Sequence, residues 1–311
     1  MAHKIYDNFY LSNEIEDQFN SHLDLQQFCT VDNTLTGTAG MTRKINRYSA
    51  TSATEKLKMG EGNSKSIEVS YVQDDYVIQL AQNTFKYFDE QEMTDPVLVP
   101  TGVRQMGTDM FNTENADIFA EFSKAEIVVP VSKFDFDAFV DAVAAIDIES
   151  GDNDPVNNAP QSFAFVNSPA MAELRKNAKD LLKYPESFIR TGYLGTIGGV
   201  ALYSKKDAKS TEICLATREA VTLFNKKGTE VEQRRDPDTR KNEIFSRKYY
   251  IAALTHTNKA VKIVKGTAKA TSDTTFKEGK TYYAKLDNGY VKVGQTAEVT
   301  NPSTAGYYEI A

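Results

Sequence analysis

Tryptophan is absent from the 311-residue sequence, histidine occurs three times and cysteine twice. His3, His22 and His256 stand at no metal-ligand or triad spacing with cysteine or carboxylate, so neither zinc chemistry nor a serine-histidine-acid relay has a footing. Cys29 and Cys214 lie in unrelated segments, which gives no disulfide framework and fits a reducing compartment. No apolar run approaches bilayer-spanning length, and Met1 to Glu16 lacks the basic start and apolar core of a secretory signal. No membrane association is expected. A surplus of positive charge is missing too. The formal net charge of -7 argues against a protein whose main task is to coat nucleic-acid phosphates, because that binding needs clustered Lys and Arg.

Motifs for catalysis are equally scarce. Gly279-Lys280-Thr281 looks like the end of a phosphate loop, but Thr274 stands where the motif needs its first glycine, and the context is a β-hairpin. The loop Gly192 to Gly199, with Gly192, Gly195, Gly198 and Gly199, is not a G-x-G-x-x-G and runs into a strand instead of a helix. Neither an enzymatic reaction nor a bound cofactor or metal is expected.

What is present is architectural patterning. Gly228 opens a run that alternates valine with polar residues, Asp236-Pro237-Asp238 turns it, and Asn242 to Leu254 returns as a strand. Phe245, Tyr249 and Ile251 fall on one face of that strand, and Ile244 and Tyr250 on the other. Such a ribbon is marginal by itself and must lie on something. Met41 to Tyr76 reads as a second pair of arms around a small-residue tip, with alternation at Ile67, Val69 and Tyr71. Arg43, Lys44, Arg47, Lys56, Lys58 and Lys65 oppose only Glu55 and Glu61 between residues 41 and 65. Taken alone, this is a solvated surface hairpin.

Helices are expected over Asp109 to Ser123, with Phe111, Ile118 and Phe122 in register and Phe119 beside them, and over Phe134 to Ile148, with Phe136, Phe139, Val140, Val143 and Ile146 as the apolar stripe. Between Phe134 and Asp154 stand Asp135, Asp137, Asp141, Asp147, Glu149, Asp152 and Asp154 without a single base. They lack calcium-loop spacing and a nearby histidine, so the residues alone read as a solvated acidic face. Phe163 to Val166 has the composition of a buried strand, and Ser168 is expected to cap a helix with Pro169 first and Met171, Leu174, Ala178 and Leu181 inward. Ala260 to Lys265 reads as the last strand of the main body, and Gly266 to Thr275 has a linker composition. Beyond it, Thr281 to Leu286, Tyr290 to Val293 and Gly306 to Ile310 are short β runs. Asp287-Asn288-Gly289 predicts a hairpin with a type I′ turn at Asn-Gly.

The glycine loop leading to GGVALYSKK, the stretch ATREAVTLFNKKGTEVEQRRDPDTRKNEIFSRKYYIAAL, and the loop around EKLKMGEGNSKSIEV together resemble the major capsid proteins of tailed bacteriophages, whose shell fold is called the HK97 fold. The resemblance is one of order and type and runs roughly from Asn33 to Lys265. It implies an α+β fold with an N-terminal arm at 1–40, an extended hairpin loop at 41–76, and a peripheral domain at 77–135 and 225–265 that carries the long spine helix and ribbon. It further implies an axial domain at 136–224, followed by a small C-terminal β domain at 266–311. By the resemblance, the basic hairpin reaches over a neighbouring subunit, and the candidate acceptors are Asp135, Asp137, Asp141, Asp89 and Glu90, with Asp74, Asp75 and Glu92 beside them. Complementary charge of this kind would steer register more than it would add affinity. The glycine loop at Gly192, Gly195, Gly198 and Gly199 becomes an axial contact.

The implied partners are other copies of the chain, as pentamers and hexamers of an icosahedral shell around double-stranded DNA held without sequence-specific binding. A portal and a scaffold or decoration protein complete the set. Assembly in the bacterial cytoplasm and residence in the virion follow from the same resemblance. Two alternatives stay open: an encapsulin-like nanocompartment that stores a protein cargo, and a non-assembling binding protein whose C-terminal β module recognises a surface ligand.

Overall fold

The computed structural model describes residues 24–50, 54–146, 162–178, 196–295 and 299–310. The expected N-terminal arm up to residue 23, the acids Asp147, Glu149, Asp152 and Asp154, and Leu181, Gly192 and Gly195 lie outside them. Elements below are numbered in chain order.

The ribbon is the longest strand pair: β10 (Val221–Asp236) and β11 (Lys241–Leu254) run antiparallel, with register shifts around Lys227. Asp236 builds the turn. Its carboxylate accepts from the Asp238 amide at 3.1 Å and the Thr239 hydroxyl at 2.7 Å, which holds its pKa below the usual aspartate value. Arg240 completes the reversal with φ 55°, the left-handed region that side chains other than glycine seldom enter. Alternation holds along β11: Ile244, Ser246, Lys248 and Tyr250 are buried on one face, and Phe245, Arg247 and Tyr249 are half-buried on the other. β4 (Gln79–Phe88) pairs with β11 from Gln79 to Phe88, and β1 (Thr30–Asp32) joins β10 in parallel, giving the order β1-β10-β11-β4.

Under this sheet lies the long helix. After the short helix α1 (Asp89–Thr94), α2 runs over Leu98–Phe122, 25 residues, and so begins well before the expected Asp109. Pro100 and Gly102 hide the start from a periodicity reading. Proline costs little in a first turn, whose N–H groups have no partner within the helix. Gly102 is there for space: a Cβ would meet the Phe85 ring of β4 at 2.5 Å. Val99, Val103 and Met106 pack with Tyr87, Val231 and Ile244 of the ribbon sheet, while Ile118, Phe119 and Phe122 reach a second core.

That second core belongs to a ten-stranded mixed sheet, ordered β13-β16-β14-β15-β5-β12-β9-β6-β8-β7. Within it β6 (Ser162–Val166) is buried along its whole length. Phe163 and Phe165 face α2, and Ala164 and Val166 face the opposite cluster, so the strand reads as a continuous apolar run. Fully burying each large side chain here contributes about 1.5–3 kcal/mol. β6 lies between β8 (Val200–Ser204), parallel, and β9 (Glu212–Thr217), antiparallel, and β12 (Ala260–Lys265) bridges β9 to β5 (Ile127–Val131). β5 and β12 therefore run in this sheet and not beside the ribbon.

Two helices cover the other face. α3 spans Phe136–Ile146 and buries Ala138, Phe139, Ala142 and Ile146. Phe136 and Val140, expected inward, are exposed, because the small alanines let the helix backbone approach the sheet more closely than the bulkier face would. α4 spans Ser168–Ala178 with Ala170 and Leu174 inward and Met171 half-buried. The carbonyl of Asn167 accepts from the Met171 amide at 2.8 Å, which places the cap one residue before the expected Ser168.

The C-terminal residues join this sheet. β13 (Ala268–Ala270), β14 (Tyr282–Leu286), β15 (Gly289–Val293) and β16 (Tyr308–Ile310) form its far side. The expected linker is thus built structure. Thr271 and Asp273 are buried, and the Asp273 carboxylate accepts from Lys277, from Lys280 at 2.8 Å and from the Tyr282 hydroxyl at 2.9 Å. The hairpin is as expected but its turn is not. Leu286 pairs with Gly289, so Asp287 and Asn288 form the loop, and neither they nor Gly289 adopts positive φ.

Candidate assembly surfaces

β2 (Thr42–Ala50) and β3 (Val69–Val77) pair antiparallel from Thr42↔Val77 to Ala50↔Val69, making the expected hairpin. Its own two strands are its only sheet among the described residues; at the root Ile45 and Tyr76 pack against Phe224 and Ile251 of the body, and farther out the apolar side chains open to solvent. Ile67, Val69 and Tyr71 are each 61% exposed, Val77 of the same parity is as open, and so is Val72 on the other. An alternating strand normally hides one face. This one presents apolar groups to solvent on both.

The six basic residues divide. Arg47 turns inward, pairing with Asp74 at 2.5 Å and donating to the Leu254 carbonyl at 2.8 Å, and Arg43 lies over the Phe224 ring at 5.2 Å. Both fasten the root of the hairpin to the ribbon. Lys44, Lys56, Lys58 and Lys65 are exposed, and around the tip Leu57 and Met59 are exposed between them. The tip is shaped locally. Glu55 accepts from the Ser64 hydroxyl at 2.6 Å and its amide at 2.8 Å, bonds that hold the carboxyl below the usual glutamate range, and Glu61 accepts from the Lys58 amide at 3.1 Å.

The acidic candidates divide likewise. Asp89 is engaged within the chain, by Arg235 at 2.8 Å and Asn242 at 2.6 Å, at the foot of the ribbon. Glu90 pairs with Arg240 at 3.1 Å with both side chains open. Asp135 caps α3 through the Ala138 amide at 3.1 Å and pairs with Lys133. Asp74 is taken by Arg47. Asp137 and Asp141 remain on the exposed face of α3, one turn apart and next to the exposed Phe136 and Val140. Among the described residues, no group of three His, Cys, Asp or Glu is placed to hold a metal ion, and no helix is long and apolar enough to cross a membrane.

Of the axial loop, Gly198 and Gly199 form a two-residue turn with φ of 57° and 84° between β7 (Thr196–Ile197) and β8, where positive φ at both positions requires glycine. The position of a Gly198 Cβ lies 3.7 Å from Phe139 and Val140, so the turn rests on α3.

Sequence reasoning missed the polar joint between α2 and the ribbon. Lys248 of β11 donates to both oxygens of Glu114 at 2.8 Å, with side-chain exposures of 11% and 3%. Gln26 adds a third bond to Glu114 at 3.1 Å, the Asn115 carbonyl oxygen receives the Leu25 amide at 3.0 Å, and the Tyr250 hydroxyl donates to Asp117 at 2.6 Å. Farther along α2, Glu121 accepts from the Leu254 amide at 3.3 Å and Lys124 at 2.5 Å. Burial raises the Glu114 carboxyl above its usual range, and Lys248 pulls it back without cancelling the effect. The same burial lifts the Tyr250 hydroxyl. The available signal was parity: Lys248 stands on the same strand face as Ile244 and Tyr250, and Glu114 and Glu121 bracket Ile118 on the helix. Cys29 and Cys214 are free and buried, with thiols pushed up by desolvation to about 12 and about 11.

No family model matches the sequence. The chain is 25% identical over 264 residues to the major capsid protein of Staphylococcus phage phiMR11, covering 81% of this chain and 90% of that one. Among solved structures, it is similar to the head of Helicobacter pylori bacteriophage KHP40, with a TM-score of 0.59 at 9% identity over 85% of this chain and 92% of the other. It is also similar to the virus-like particle from Pyrococcus furiosus, with a TM-score of 0.54 at 13% identity, covering 83% of this chain and all of that one. With its ribbon sheet, the long helix beneath it, the mixed sheet with its two helices and the hairpin, the chain has the HK97-like capsid fold.

Proposed function

We propose that the chain is a major capsid protein, a structural subunit that assembles with copies of itself into a phage head shell. The observation that carries this reading is the hairpin β2–β3, which beyond its root leaves Val69, Tyr71 and Val72 uncovered among the described residues, in a protein similar to a phage major capsid protein over most of its length. A monomer has no use for such an element; a neighbouring copy supplies the missing surface. The exposed Lys44, Lys56, Lys58 and Lys65 reach the neighbour, and Asp137 and Asp141 on α3 are the acceptors that the chain leaves open. Residues 41–76 act as the extended loop, the ribbon and α2 as the peripheral body, and the Gly198-Gly199 turn as an axial contact.

The pentamers and hexamers of this shell enclose double-stranded DNA, with a portal and a scaffold or decoration protein as further partners. The subunit's work is contact, without a cofactor or a reaction of its own. Its assembly takes place in the bacterial cytoplasm.

A second reading is supported by the likeness to the virus-like particle from Pyrococcus furiosus: a closed shell of the same fold without a genome. Negative-stain microscopy of the purified chain tests the shell. Closed particles or rings are expected, and a strictly monomeric sample at high concentration across salt conditions contradicts it. Nuclease-protected DNA in particles recovered from infected cells separates the two shell readings.

A further inference from the structure

We infer that the C-terminal residues 268–310 are an edge cap: they close an apolar strand edge of the main sheet by adding β15 to β5 within the same chain. β5, Ile127-Val128-Val129-Pro130-Val131, pairs with β12 on one side only. Without the C-terminal strands it would be the sheet's terminal strand, and Pro130 marks it as such, because proline cannot donate to a ladder and is kept to edges. An edge of this composition is a template for pairing with another chain. Two devices cover it. β15 pairs across Ile127 and Val128, with Tyr290 opposite Val128, Val291 opposite Ile127, and the Lys292 amide donating to the Glu126 carbonyl at 2.9 Å. Beyond that point Pro130 presents no donor to a further strand, whereas the Gly266 amide, which takes the Val131 carbonyl at 3.0 Å, continues the β12 ladder on the other side of β5.

The joint is fitted closely. A Cβ on Gly289 would stand 3.3 Å from the Val128 carbonyl oxygen and 3.5 Å from Ala145 and Val129, so glycine serves the approach to β5 and not the turn it follows. Behind β15 the cap is held by its own Asp273 network and by Phe276, Tyr282 and Tyr307. The edge that finally faces solvent is β13, three residues long with an exposed lysine, Lys269. Short, charged edges resist pairing. The cap therefore exchanges a five-residue apolar edge for a three-residue basic one. This inference concerns the single subunit and does not rest on the shell reading.

Lys292→Pro in the full chain removes the amide that bonds Glu126, and Gly289→Val forces the strands apart while keeping the backbone groups that pair with Leu286. Hydrogen exchange and thioflavin fluorescence read the result. Both variants are expected to lose protection at Glu126 and Val128, whose amides face β15, by about tenfold or more while β6 and β9 stay protected, and to pass into thioflavin-positive aggregates. Loss of protection in a variant that stays as dispersed as the wild type overturns the inference. So does unchanged protection at Glu126 and Val128 in both variants.

Discussion

The joint between α2 and the ribbon and the β2–β3 hairpin use the same residue types in opposite ways. At the joint, Lys248 meets Glu114 and Tyr250 meets Asp117 inside the chain, and Tyr250 packs in one cluster with Leu25, Ile118 and Leu254. On the hairpin, Ile67, Val69, Tyr71 and the lysines of the tip meet solvent. The first region is complete in one subunit, and on the proposed reading the second is completed by another copy. A subunit of a closed assembly has to keep these separate, so that stability does not depend on neighbours and contact does not depend on refolding. The root of the hairpin marks the border: Arg47, Asp74, Tyr76 and Glu121 tie it to the body, and beyond it the strands run free.

The largest expected break in this contrast is Lys248→Met. It strands the buried Glu114 carboxylate and costs the isolated subunit about 3–5 kcal/mol in urea unfolding, whereas adding Glu114→Leu recovers most of that loss. The deficit has a pH signature. Because the folded Glu114 carboxyl titrates above its unfolded value, its contribution is fully present below the unfolded pKa and is lost as pH rises through the folded one. A protonated Glu114 needs no ammonium partner, so the Lys248→Met deficit shrinks as pH falls through the carboxylate range.

Tyr250→Phe leaves Asp117 without the hydroxyl donor and costs about 1.5 kcal/mol by the same assay. Gly102→Ala sharpens the packing side of the joint. The added methyl pushes on the Phe85 ring and costs about 1 kcal/mol, and with Phe85→Leu the cost disappears as the better helix propensity of alanine takes over. In the C-terminal cap, Asp273 titrates well below its unfolded value, held down first by Lys277 and then by Lys280. Its stabilisation is present above the unfolded pKa and fades as pH falls toward the folded one. Asp273→Asn should flatten that acid loss, read by hydrogen exchange around Tyr282.

Strand parity was the most legible feature of the sequence. Ile244 and Tyr250 against Phe245 and Tyr249 placed β11, and Ile67, Val69 and Tyr71 placed the return arm of the hairpin, because a period of two survives whatever the strand packs on. Helices were legible where bulky residues made the stripe, as at Phe111, Ile118 and Phe122. They failed where small residues did: the α3 face that packs is marked by Ala138 and Ala142, which carry little hydropathy but permit close approach. Asn288-Gly289 looked like a turn because local chemistry allowed one, yet Gly289 answers to Val128 across the sheet, a contact with no trace in neighbouring residues. Among the candidate contact residues, charge type was readable and direction was not. Arg47 and Asp89 point into the chain, Lys56 and Asp137 out of it, and only the fold decides which.

The most direct measurement of the central claim compares the wild-type chain with Lys56→Glu/Lys58→Glu by electron microscopy and thermal unfolding together. The account predicts that the variant unfolds within about 0.5 kcal/mol of the wild type, because Lys56 and Lys58 are exposed at the tip, yet forms few or no closed shells where the wild type forms many. Normal shells from the charge-reversed hairpin would contradict it.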